Sequence, residues 1–374
     1  MNNRPTGIDD IHFVDPNAVR DQLGKYSGLL AKVLAQCYGI DYPGTSLDTT
    51  SNQKNILNRT QRSVFWAVTD QEWLEERLGT SSMVNADEEF GPGYAEMGKS
   101  GSLGDGNAKL GYMRFINEWN EGKNGLGDFD SLVTTVRNCP ERLGKEFPVK
   151  SGVGIRVIFL KYLQFQQWGI APWLLMPDDS EGSYEILDLL FKHRNDHQVA
   201  NAISSTPVSL VGDENRDLLN QFARFNYGIN VQLEDAQSST GTNADSVIGW
   251  KLLVPPEKAS KNPIKMVPYP NGDTDFNAVF KQMNGQSGAM NTIYLPLIPQ
   301  TTDIQDMLSG EGWVLTGFIP GKKDGSIEIP FKGMWSKLTT KRPLIRPHYI
   351  DNADELSPDW YKAFVERSMY SLKS

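Results

Sequence analysis

Between Ile248 and Met334 the chain breaks into short apolar runs, each closed off by Pro or Gly. They cover residues 248–254, 264–269, 292–298, 313–319 and 327–334. Runs of this length, rich in β-branched and aromatic residues, read as strands. Helices are expected between them at 276–283 and 304–308, and a closing helix at 358–369. Before residue 240 the spacing is helical instead. Asp15 and Pro16 start a long amphipathic helix through Val19, Leu23, Leu30, Val33, Leu34 and Cys37. Further helices are expected at 56–68, 70–79, 113–119, 183–203 and 214–227, and at 155–168, where the alternation of Ile155, Val157 and Phe159 also fits a strand entering the helix.

Residues 80–108 are crowded with Gly and Ser and read as one long loop, as do residues 238–245. The chain of 374 residues suggests two domains, or three small ones. It reads as an α+β protein. A helix-rich region over 1–240 carries the 80–108 loop. A smaller region over 241–374 follows, with short, mainly antiparallel strands and a closing C-terminal helix. No internal repeat is visible. Aromatic residues at 10% are enough for a substantial core and exclude wholesale disorder.

The 46 acidic residues outnumber the 37 basic ones, for a net charge of −9. A surface of this sign repels phosphate overall, although a local basic patch can still hold it. Cys37 and Cys139 form no disulfide framework and no zinc knuckle; they read as free thiols, with a single bridge left open. The N-terminus has no apolar signal segment, and no apolar run reaches 18 residues. A cytoplasmic protein with no membrane contact is expected.

Several motifs invite chemistry. Gly93 to Ser100 satisfies G-x-x-x-x-G-K-S, but Glu88 and Glu89 precede it and glycines follow it, where a phosphate loop needs a buried strand and a helix. His193 and His197 stand four apart, the spacing that puts two metal ligands on one helical face. Asp105, Glu121 and Lys123 fit a loose nuclease pattern, in which two carboxylates bind Mg²⁺ and the lysine steadies the attacked phosphate. No G-x-S-x-G, H-E-x-x-H or C-x-x-C occurs.

Residues 321–347 carry seven basic groups against two acidic ones. Lys322, Lys323, Lys332, Lys337, Lys341, Arg342 and Arg346 surround Trp335, a pattern suited to nucleic acid or to a protein partner. Residues 1–100 hold nine basic and fourteen acidic groups, so copies could dock head to tail. The leading expectation is a non-catalytic structural or assembly protein without a cofactor, a phage-type virion subunit for instance. Its partners would be copies of itself or other subunits, and it would lie in the cytoplasm or a virion-like particle. The alternative is a Mg²⁺-dependent nuclease that uses Asp105, Glu121 and Lys123 and grips nucleic acid through the 322–346 strip.

Overall fold

A computed structural model describes residues 11–14, 21–25, 27–28, 65–69, 80–97, 107–123, 125–137, 155–174, 184–234, 248–254, 263–269, 275–286, 290–320, 323–324, 327–328, 331–339, 344–345 and 356–373, with a few isolated positions between them. In chain order the first part holds β1 (Ile11–Val14), β2 (Phe65–Thr69), β3 (Thr80–Asn85), α1 (Asp87–Phe90), β4 (Tyr94–Met97), α2 (Asn107–Asn120) and β5 (Ser131–Arg137). It continues with α3 (Ile155–Val157, running into a π-helical turn over Ile158–Tyr162), β6 (Gln166–Leu174) and β7 (Tyr184–His193). The second part begins with α4 (Asp196–Ser205), β8 (Val208–Ser209), α5 (Asp213–Tyr227) and β9 (Leu233–Glu234). Then come β10 (Trp250–Leu253), β11 (Ile264–Pro268), α6 (Phe276–Asn284), β12 (Met290–Pro296), α7 (Thr302–Gly310) and β13 (Val314–Pro320). The chain closes with β14 (Lys323–Asp324), β15 (Ile327–Glu328), β16 (Phe331–Leu338), β17 (Leu344–Ile345) and α8 (Asp359–Lys373).

One large, mostly antiparallel sheet runs in the order β1-β2-β3-β4-β5-β7-β6-β13-β16-β12-β11-β10, with β17 paired to the start of β7. Its order repeats. Read from either end toward the middle, β3-β4-β5-β7-β6 has the same pairing as β10-β11-β12-β16-β13. Each set contains one parallel pair, β4 with β5 and β11 with β12, joined by a crossover helix, α2 or α6. A second helix, α3 or α7, then leads to the strand that forms the inner edge. The register repeats as well. Glu96 pairs Val133 as Lys265 pairs Thr292, and Thr135 pairs Leu189 as Tyr294 pairs Met334. The same sequence offset separates Glu96 from Lys265 and the first residue of α2 from that of α6. The chain is therefore a structural duplication.

Even the irregularity recurs. β6 slips register against β7 between Gln167 and Gly169, and β13 slips against β16 between Leu315 and Gly317. The two bulged strands meet through the pair Gly169 and Gly317. A Cβ on Gly169 would lie 2.6 Å from Gly317 Cα and 2.7 Å from the Thr316 carbonyl oxygen. Only glycine admits that backbone approach, so the joint between halves depends on two residues that carry no side chain.

The helix α8 lies over this joint. The Tyr361 hydroxyl is 2.7 Å from the Gly169 carbonyl and 2.9 Å from Asp188 Oδ1, while Arg156 Nε donates to Asp188 Oδ2 at 2.7 Å. On the outer face of the first half, α2 buries Tyr112, Phe115, Ile116 and Trp119, spaced to fall on one stripe. These cover Ala95, Met97, Leu132, Val136 and Leu190 of the sheet. The inner face joins both halves through Phe90, Tyr94, Trp168, Phe191, Tyr294 and Phe331.

Mixed α and β structure stands, and so do the helices at α5, α6, α7 and α8. The helix-rich reading of 1–240 gives way, among the described residues, to strands β1 to β9 interleaved with helices. Residues 65–69 and 184–193 are strands where helices were expected. β7 is sandwiched between β5 and β6, so its apolar residues run continuously from Ile186 to Phe191 apart from Asp188. Such a doubly buried run is indistinguishable from a buried helix by periodicity. The 80–108 loop contains β3, α1 and β4. Cys37, Cys139 and residues 238–245 lie outside the described residues. No helix among the described residues is long and apolar enough to cross a membrane.

Candidate functional site

β4 and β5 pair only from Tyr94 with Ser131 to Glu96 with Val133. β5 runs on to Arg137, held on its other edge by β7. Beyond the short parallel ladder, the link across is made by a side chain: Thr134 Oγ1 donates to the Met97 carbonyl at 3.1 Å. The backbone edge of β5 past Thr134 therefore has no strand partner on that side among the described residues. An edge of this kind offers amide and carbonyl groups to an extended ligand.

Beside this opening lies a cavity of about 150 Å³, between the halves. Equivalent positions line it from both sides: Glu96 and Lys265, Val133 and Thr292, Thr135 and Tyr294, Leu189 and Met334. It sits on the pseudo-twofold relation because the two parallel pairs face one another there. The short helix α1 reaches across from the first half. Its Glu89 carboxylate accepts from the Lys265 ammonium and from the Tyr294 hydroxyl, and Glu88 pairs with Lys251. Burial, reinforced by the Glu89 charge, pushes the Tyr294 hydroxyl well above its usual pKa, so it remains a neutral donor.

Glu96 is different. It lies on β4 where the strands part, it is exposed, and among the described residues nothing pairs with its carboxylate. Three hydroxyls continue the polar lining into the second half. Thr292 Oγ1 is 3.2 Å from Ser336 Oγ, which is 2.8 Å from Thr316 Oγ1. A free carboxylate, a hydroxyl chain and an open strand edge together suit a ligand with an extended amide-bearing arm and an amine or hydroxyl to be activated.

No family model matches the sequence, and no curated protein does. Solved structures that resemble it are acetyltransferases. An aminoglycoside 6'-acetyltransferase of type Ii shares 12% identity over 50% of this chain and 97% of its own, at a TM-score of 0.32. The ribosomal-protein-S5-alanine acetyltransferase of Vibrio fischeri shares 14% over 50% and 93%, at 0.33. The yncA protein of Salmonella typhimurium, solved with its cofactor acetyl-CoA, shares 13% over 50% and 94%, at 0.34. Scores this low assign nothing by themselves.

Both functional expectations are corrected. The solved structures that resemble the chain are acetyltransferases, and none named here is a virion subunit or a nuclease. The described geometry does not assemble the nuclease trio. Glu121 and Lys123 form an exposed ion pair with each other after the end of α2, which holds the Glu121 carboxyl below and the Lys123 ammonium above their usual pKa values. Asp105 lies outside the described residues.

The other sequence-derived candidates are scattered. His193 ends β7, buried, with Nδ1 2.9 Å from Ser131 Oγ, while His197 is exposed in the first turn of α4. The two therefore share no helical face, and no metal-binding group of side chains occurs among the described residues. Trp335 is buried in the core rather than open to stacking. Lys332 is buried too, its ammonium donating to the Phe90 carbonyl at 3.1 Å, and Lys337 donates to the Glu311 carbonyl at 2.6 Å. Lys323 lies on β14, and Lys322, Lys341, Arg342 and Arg346 fall outside the described residues.

Sequence reading missed Glu96 and Thr292. Glu96 sat inside what read as a glycine-rich loop, because β4 is only four residues long.

Proposed function

We propose that this chain is an acyltransferase that takes a coenzyme A thioester as donor in its first half and an amine as acceptor. The parting of β4 and β5 beside Glu96 carries this reading; the slight likeness to acetyltransferases does not. Coenzyme A would supply the acyl group, activated as a thioester.

The residues fit such a group at both of its polar parts. The edge of β5 beyond Thr134 would pair with the amides of the pantetheine arm, as an added strand does. The segment joining β4 to α2 holds Gly98, Gly101, Gly104 and Gly106, and α2 has no acid in its first turn. Glycines let a backbone approach a pyrophosphate, and a helix N-terminus attracts it. Glu96 would accept the proton that an attacking amine must lose. Tyr294, held neutral, keeps its proton directed at Glu89 and would form a wall of the same cavity. A donor of this class fits action in the cytoplasm.

The test is calorimetric titration with coenzyme A and a thiol-release assay with acetyl-CoA. Saturable binding is expected. It should be lost on Gly104→Asp, which copies Asp273 from the matching position in the second half. A chain that binds no coenzyme A at millimolar concentration is not this enzyme.

A further inference from the structure

The hydroxyl chain in the second half has a direction. Thr316 has a single hydroxyl proton, and it goes to the Met334 carbonyl at 3.1 Å. Its contact with Ser336 at 2.8 Å must then be one in which Ser336 donates. Ser336 has spent its proton, so Thr292 donates to it across 3.2 Å. Thr292 lines the cavity and is left with lone pairs alone to offer a ligand. A buried acceptor with unused capacity favours a ligand that brings N–H or O–H donors.

The charges agree. Lys265 and Tyr294 are both engaged by Glu89, leaving the Glu96 carboxylate as the unpaired charge on the lining. An anion entering the cavity would meet two carboxylates, Glu89 and Glu96, against one ammonium, Lys265, that Glu89 already pairs, and at Thr292 a hydroxyl that cannot donate. A cation would find Glu96 and Thr292 both complementary. Val133, Leu189, Ala171 and Met334 contribute apolar walls that suit methylene groups, and Thr135 adds a further hydroxyl. A void of about 150 Å³ accommodates roughly a benzene-sized body of six heavy atoms.

We propose that this cavity binds the primary ammonium end of an alkylamine, gripped by Glu96 of the first half and by the Thr292 hydroxyl of the second. It rests on the acyl-transfer reading only in naming that amine the acceptor. The second half then serves as the specificity wall of a site whose donor side lies in the first. The same alkylammonium can be a free small amine or the end of a lysine side chain.

Calorimetric titration of the full chain separates these. The probes are n-butylammonium, Nα-acetyl-lysine methylamide and, as the uncharged control, 1-butanol. One of the two amines should bind, and whichever binds more tightly identifies the source. Butanol should bind at least about tenfold more weakly, since a lost charge-assisted hydrogen bond is worth that much or more. Glu96→Gln and Thr292→Val should each weaken amine binding by about tenfold, and Thr292→Ser, which keeps the hydroxyl, should restore it. Thermal melts establish that each variant is folded, and the exposed Glu96→Gln carries the test if Thr292→Val is not.

Equal binding of butanol and amine, no binding of either amine, or unchanged affinity in Glu96→Gln would overturn the proposal. Titration with coenzyme A on the same sample keeps the two claims apart. Coenzyme A binding without amine binding removes this inference alone, and amine binding without coenzyme A removes the donor reading alone.

Discussion

In the first half the pairing of β4 and β5 ends at a glutamate, Glu96; in the second, β11 and β12 stay paired past the matching lysine, Lys265, through Met266 and Ile293, and Glu89 neutralises that lysine. Thr135 leaves space in the first half where Tyr294 fills it in the second, its ring stacked on Phe90 at 5.8 Å. The segment before α2 is glycine-rich, whereas Asp275 caps α6 with its own carboxylate, accepting from the Ala278 amide at 3.2 Å. A helix whose N-terminus is already satisfied by a carboxylate has little left for a phosphate. The same strand order thus supports a ligand site in one copy and a wall in the other. Fold alone does not decide function; the residues at matching positions do.

The largest expected effect breaks the halves apart. Gly169→Ala and Gly317→Ala each place a Cβ less than 3 Å from opposing backbone, which flexible side chains cannot relieve. Loss of roughly 3 kcal/mol or of folding altogether is expected, read by thermal melting. Gly310→Ala, where a Cβ meets nothing within 4 Å, should be harmless by the same measurement.

The next effect concerns Asp188, whose counterpart in the second half is Gly333. Asp188→Ala leaves the buried Arg156 guanidinium without its carboxylate and should cost about 3–5 kcal/mol in urea unfolding. A cost below about 1 kcal/mol would mean that the second half's arrangement, without the charge, serves equally well.

Catalysis should separate Glu96 from Lys265. Glu96→Gln should lower acetyl-CoA-dependent turnover about a hundredfold, and Lys265→Gln far less. Equal losses would show that the halves contribute alike.

Burial raises the hydroxyl pKa of Tyr94 and Tyr227, on the first half and on α5, as it does that of Tyr294. Below the usual tyrosine value of about 10, both folded and unfolded states are neutral and stability does not depend on these groups. Above it the unfolded chain ionises while the folded one resists, so stability is lost as pH rises beyond 10. Each Tyr→Phe change should remove up to about 1.4 kcal/mol per pH unit from that slope. Melts between pH 9 and 11 measure it, and an unchanged slope for all three variants would refute the burial account.

The smallest effect is expected at Glu121→Ala. Neither residue of its exposed pair with Lys123 lines the cavity, and melting and turnover should stay as they were.

Much of the second half was legible in the sequence. The helices α5, α6, α7 and α8 and the strands β10 to β13, β15 and β16 announce themselves by period, caps and turn residues. The first half was legible only at α2 and α3. Its strands β4 and β7 lack alternation, β4 because it is four residues long and β7 because both its faces are covered. The duplication was invisible because matching positions hold dissimilar residues: Glu96 and Lys265, Val133 and Thr292, Asp188 and Gly333. Glu96 and Thr292 stand far apart in sequence and face the same cavity only through two separate ladders.

By itself the sequence determined what local physics controls: the class of mixed α and β structure, an aromatic-rich core, and where turns and helix ends fall. Period, capping and turn chemistry act within a few residues, so they can be read without a fold. Tertiary structure alone decided that two such units join back to back through Gly169 and Gly317, that β5 runs on past its pairing with β4, and that a carboxylate from one half faces a hydroxyl chain from the other. Those facts depend on pairing between distant segments, and no local pattern encodes the distance across which they act.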